Sequence, residues 1–290
     1  MCRGGDVIGH MGGDSSSDLA KLSPLENIGI GVSAGTIEVC ILQPMLYCKN
    51  ATQQGLPFTL NPAVLYRGLT MSIMNMSVLT GAQFPLTGAV SRAITGGESR
   101  GLSPKEQIGA GFVGGALSGF LCAPMELVMI QQQRNGGGLL STGGRIVSDH
   151  GVMTLFRGLF TSCGREGLFT AGYLGAAPVI AEEIRERFGI EGKFGSFLGA
   201  CCAGLVAATL SHPLDTVKTC LQGDVAQEKF RSMPDTVTTL YQEGGVARFF
   251  KGWSWRTGRM ICAIWIMGQC KDRLAPLFYP HHFPPKKQLI

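Results

Sequence analysis

The sequence predicts an all-α membrane protein, with six transmembrane helices set out as three pseudo-symmetric helix-loop-helix repeats around a central cavity. Three observations carry that expectation. Hydrophobic residues make up 45% of the 290 and charged residues only 16%, where soluble domains carry about 25% charge; the mean hydropathy is +0.19. The 42 glycines fall largely inside apolar segments, where each weakens a soluble helix by about 1 kcal/mol relative to alanine but lets membrane helices approach closely. Finally, one pattern recurs three times, and internal repetition fixes architecture better than any single helix assignment.

In each repeat a small-residue pair at i and i+4 is followed by a proline nine residues on and a glutamine nine further: Gly31, Gly35, Pro44, Gln53, then Gly111, Gly115, Pro124, Gln133, then Ala200, Gly204, Pro213, Gln222. An aromatic-basic-glycine triplet follows each time, as Tyr66-Arg67-Gly68, Phe156-Arg157-Gly158 and Phe250-Lys251-Gly252, and a second apolar segment comes after it. The spacing predicts helices over 25–53, 70–95, 104–133, 160–186, 194–222 and 254–279. The repeats then occupy 23–98, 99–190 and 191–279, between a flexible N-terminal segment 1–22 and a C-terminal tail 280–290. Short surface helices are expected over 141–150 and 233–243, while the first loop is too short for one. Pro44, Pro124 and Pro213 sit inside the first helix of each repeat; a membrane helix tolerates such a kink when its neighbours satisfy the freed backbone groups.

Several function classes fall away. The net charge of +5 is spread out, without the aromatic-interleaved basic patch of a nucleic-acid binder. There is no GxxxxGK[ST] loop, no Ser-His-Asp set and no metal-ligand set with suitable spacing, so no enzyme, cofactor or metal is expected. The ten cysteines include no CxxC pair and read as small buried side chains. Asp6, Asp14 and Asp18 near the start argue against a cleaved presequence.

The prolines open a stretch P-x-[acid]-x-x-[base], whose acid and base share one helix face at i and i+3. Pro213-Leu214-Asp215-Thr216-Val217-Lys218 carries it in full, and Phe156-Arg157-Gly158 follows Asp149-His150-Gly151. In these residues, and over about 25–279, the chain resembles the mitochondrial carrier family. The resemblance implies a multi-pass protein of the mitochondrial inner membrane that moves a small-molecule substrate by alternating access between two gates.

It also assigns roles. The acid of one repeat pairs with the base of the next, giving Glu126 with Lys218 and Asp215 with Lys49. Repeat one has Leu46 where its acid belongs and repeat two has Met129 where its base belongs, so both halves of one bridge are missing and an apolar gate pair stands in their place. Gln53, Gln133 and Gln222 lie where relatives brace this ring; simple helix-end polarity is the other reading. Opposite, the acid and base positions fall near Gly88 and Ser91, Pro178 and Ala181, and Lys271 and Leu274, so that second gate is weak or absent.

Seven residues beyond each triplet glycine lie the positions where family members hold substrate: Asn75, Arg165 followed by Glu166, and Arg259, with Arg256 nearly one turn earlier. Ionisable groups at mid-membrane depth are expensive and mark function. An arginine fork suits a carboxylate and a glutamate suits an ammonium, so the pair fits a zwitterion, and in the family Arg followed by an acid is typical of amino-acid carriers. A carboxylate without an amine, or a transport-inactive subunit of a larger membrane complex, are the alternatives. Arg165 and Glu166 pairing with each other is the structural alternative, as a helix-helix hydrogen bond is for Asn75. The helix starts at Gly68, Gly158 and Gly252 suit anionic headgroups, and cardiolipin is the lipid the family implies.

Overall fold

The computed structural model describes residues 22–96, 100, 102–172, 177–189 and 192–282. Its helices are α1 (Pro24–Gln54), α2 (Pro62–Leu65), α3 (Leu69–Ile94), α4 (Pro104–Asn135), α5 (Leu139–His150), α6 (Leu159–Thr170), α7 (Ala177–Phe188), α8 (Gly192–Gly223), α9 (Met233–Phe249) and α10 (Trp253–Phe278). No strand occurs among the described residues.

Local chemistry sets the helix starts. Ser23-Pro24-Leu25-Glu26 and Ser103-Pro104-Lys105-Glu106 are the same device twice: the serine caps the backbone amide of the glutamate, whose carboxylate reaches back to the serine amide, and proline fills the first helical position, where no donor is needed. The helices after the triplets, α3, α6 and α10, begin differently. Gly68, Gly158 and Gly252 stand at φ of 77°, 76° and 82°, a left-handed conformation that glycine adopts without strain.

The elements close into a ring, with contacts running α1–α3, α3–α4, α4–α6, α6–α8, α8–α10 and α10–α1, and α7 packed on α8. Two sets of glycines explain the close approach. Within each repeat, the small-residue pair faces the second helix: a Cβ at Gly35 would meet Met76 at 3.1 Å, one at Gly115 the Glu166 carbonyl at 2.5 Å, and one at Gly204 the Met260 sulfur at 2.8 Å. Between repeats, each glycine cap lies on the first helix of the next, Gly68 against Met129 and Gln133, Gly158 against Gln222, Gly252 against Lys49 and Gln53.

Polarity is inverted relative to a soluble bundle. Along α4, Phe112, Val113, Leu117, Phe120 and Leu121 are exposed while Ser118, Glu126, Gln131, Gln132 and Gln133 are buried, as expected for rods whose outer solvent is hydrocarbon. Three helical stretches, Leu25–Gln54, Pro104–Asn135 and Phe197–Gly223, are long and apolar enough to cross a membrane; each runs through its proline.

The structure departs from expectation in detail. The predicted 160–186 helix is described as α6 and α7, with a wider π turn at 171–172 and residues 173–176 outside the described ones. The first loop does hold a helix, though only the single turn α2, capped by Asn61. The surface helix α9 runs to Phe249 because a non-helical step at Gly244-Gly245 lets the chain resume. Of the 280–290 tail, Pro280–His282 form a 3-10 turn; 1–21 and 283–290 lie outside the described residues.

Candidate functional site

The first helices of the three repeats converge where their prolines lie, and the residues after those prolines meet there. Lys49 Nζ lies 2.7 Å from Asp215 Oδ2, and Lys218 Nζ lies 2.9 Å from Glu126 Oε2. All four side chains are under 10% exposed. Between repeats one and two the contact is apolar: Leu46 packs on the cluster of Met71, Leu127, Val128, Met129 and Ile130. A buried charge left alone is costly, and here no side of the ring leaves one.

The glutamines do not share one partner. Gln53 Nε2 donates to Asp215 Oδ2 at 2.9 Å and to Thr216 Oγ1 at 3.2 Å. Gln133 Oε1 instead accepts from Asn50 at 2.6 Å, and Gln222 donates to the carbonyls of Ala123 and Arg157 at 3.4 and 3.3 Å. The environment common to all three is the glycine cap of a neighbouring helix; the reason is spacing, since each follows its proline by the same nine residues.

Arg165 is not free in a pocket. Its Nη2 lies 2.5 Å from Glu126 Oε1 and 2.5 Å from Glu166 Oε1, and its Nε lies 3.6 Å from Asp215; the side chain is 13% exposed. Glu166 holds the helix position of Met76 and Met260 in the other repeats, but it meets the small-residue pair through its backbone carbonyl, where those two meet it through their side chains; the Glu166 side chain is buried against Arg165. Arg256 Nη1 lies 3.2 Å from Asp215 Oδ2, and its Nη2 donates to Ser211 at 2.7 Å. The network therefore joins four cations (Lys49, Lys218, Arg165, Arg256) to three carboxylates (Glu126, Glu166, Asp215), an excess of one positive charge in a buried place.

Arg259 stands apart. Its Nη2 lies 2.7 Å from Oε1 of Glu38 on α1, with 27% of the arginine side chain exposed and 2% of the glutamate. Glu38 Oε2, Arg259 Nε and the buried Oδ1 of Asn75 have no hydrogen-bond partner among the described residues. Glu38 was missed by sequence reasoning, although one signal existed: an acid inside the apolar run ahead of Pro44. Ser162, which donates to Glu126 at 3.1 Å, gave no such signal. At the opposite end, Ser91 donates to the Thr87 carbonyl of its own helix, and the side chains of Pro178, Ala181 and Lys271 lie outside the described ones.

The family model described as mitochondrial carrier protein matches residues 101–187 and 192–281. The chain is similar to a mitochondrial carrier of Schizosaccharomyces pombe, 23% identical over 90% of this chain and 95% of the relative. It is also similar to the mitochondrial dicarboxylate/tricarboxylate transporter of Arabidopsis thaliana, 27% identical over 77% and 83%. A third relative is the mitochondrial glycine transporter of Saccharomyces cerevisiae, 29% identical over 66% and 67%.

Proposed function

This chain belongs to the mitochondrial carrier family, and on that premise we propose that it is a secondary transporter moving a small carboxylate-bearing metabolite, in the first place an amino acid or related zwitterion, across the mitochondrial inner membrane. The observation that carries the reading is the central network with its surplus cation; the separate pair Arg259–Glu38 and Asn75 add unpartnered buried polar atoms. A solute carboxylate neutralises the surplus charge, most directly at Arg165, Arg256 or Arg259, where guanidinium forks suit it. An ammonium completes the free oxygen of Glu38 or competes with Arg165 for Glu166.

In this reading Lys49–Asp215, Lys218–Glu126 and the Leu46/Met129 contact form a closed gate, and solute binding favours an intermediate in which that gate opens. Only a difference in solute affinity between states drives such a shift. Arg165 holds the gate acid Glu126 and the substrate-side acid Glu166 at once, so a solute that draws Arg165 away loosens the gate directly. Gly68, Gly158 and Gly252 offer helix starts to anionic headgroups, cardiolipin among them.

A dicarboxylate or tricarboxylate is the second reading, favoured by the same surplus positive charge; several of the relatives bear such transport in their names. Uptake by reconstituted vesicles decides. Glycine and other amino acids should enter wild-type vesicles and fail with Arg165→Ala; entry of citrate or malate alone supports the second reading. No uptake of either class by folded protein that copurifies in a large assembly overturns the transporter and leaves a structural subunit.

A further inference from the structure

The end of the molecule away from the gate holds a cluster that transport does not use. Glu26, in the first turn of α1, meets His281 and His282, in the turn after α10, and one ligand atom from each lies within 4.8 Å of the other two. Two imidazoles and a carboxylate are the donor set that borderline divalent ions take, while magnesium and calcium prefer all-oxygen shells. The sequence concealed this set because its members come from opposite ends of the chain.

Two features hold the donors in place. Glu26 Oε2 is fixed by the Ser23 amide at 2.7 Å through the capping box, which leaves Oε1 turned to His282 Nε2 at 3.5 Å. The histidine turn is anchored by Tyr279, whose ring meets His281 edge-on and packs with Leu22, Ile30, Leu274 and Ala275. A tetrahedral zinc ion with donors about 2.1 Å away brings them to about 3.4 Å from one another, which rotation of the partly exposed imidazoles supplies.

We propose that Glu26, His281 and His282 form a zinc site, completed by water, that ties the start of the first helix to the end of the last. Bound zinc crosslinks the first repeat to the third at the end opposite the ionic ring, and so rigidifies the seam between α1 and α10.

Titration of zinc chloride into the full chain in detergent, with any affinity tag removed, tests this. Saturable binding to one site, a raised melting temperature, and no response to magnesium chloride are expected. The double substitution His281→Ala/His282→Ala should lose that binding. Glu26→Gln should weaken it and leave the metal-free melting temperature unchanged, because glutamine at this position keeps the capping box. Equal zinc binding by the wild type and the double variant, as binding at cysteines would produce, overturns the proposal, and so does a wild type that takes up no zinc saturably.

Discussion

Arg165 and Lys218 share one carboxylate, the arginine 2.5 Å from Glu126 Oε1 and the lysine 2.9 Å from Oε2. Ser162 adds a hydrogen bond to the second oxygen. Glu126 is therefore the joint between the ionic ring and the arginine of the proposed binding site, and neutralising it strands the buried Lys218 while leaving Arg165 to Glu166 and Asp215.

Glu126→Gln should consequently cost about 3–5 kcal/mol of stability, the range for breaking a buried pair. Thermal unfolding in detergent measures it. Glu106→Gln is the control, since its partner Arg100 is 44% exposed and solvent screens such a surface pair. Equal effects would mean that Glu126 is solvated.

Leu46 and Met129 supply a second prediction. Leu46→Glu or Met129→Lys alone places an unpaired charge in the Met71/Ile130 cluster and should destabilise by about 3 kcal/mol. The two together restore an acid and a base between repeats one and two, and should recover most of that loss. A double-mutant cycle reads the coupling; additivity within about 0.5 kcal/mol means the two positions do not meet.

The glycines of the helix crossings differ in what they face. A Cβ at Gly115 would lie 2.5 Å from both the Glu166 carbonyl and Thr170 Oγ1, whereas at Gly35 it would meet only the side chain of Met76, at 3.1 Å. Gly115→Ala must push α4 from α6 and should cost about 2 kcal/mol, within the range for overpacked cores. Gly35→Ala should cost well under half as much, by the same unfolding measurement.

Asp224, in the loop after α8, accepts from the backbone amides of Glu228, Lys229 and Phe230 at 3.3, 2.8 and 2.7 Å. Burial works against its charge, but the amides and nearby Arg157 outweigh burial and hold its carboxyl below the ordinary value. Its contribution is complete above the ordinary aspartate value and is lost as the pH falls through the lower folded one. Asp224→Asn should lower stability by about 1–2 kcal/mol near neutrality and flatten this acid-side dependence. Amide protection at 228–230, measured against the intrinsic exchange rate at each pH, should be lower in the variant and unchanged by mild acid there, which checks it.

Much of this arrangement was legible because repetition does what a single segment cannot. The nine-residue spacings located α1, α4 and α8, and the triplets marked the starts of α3, α6 and α10. The contacts Lys49–Asp215 and Lys218–Glu126 are those that the resemblance to the family implied for the acids and bases after the prolines. Periodicity tells which face a residue occupies, not which side chain arrives from the neighbouring helix. So the capture of Arg165 by Glu126, the pairing of Arg259 with Glu38 and the separate partners of the three glutamines were beyond it. A long guanidinium stem spans more than one turn, and its destination is settled by packing.

The seam at Leu46 and Met129 makes the ring a clasp of mixed materials. Apolar adhesion fades on cooling, whereas dehydrated ions feel little of the surrounding salt. Cooling therefore weakens the Leu46/Met129 contact itself, and the Asn50–Gln133 hydrogen bond carries more of that joint.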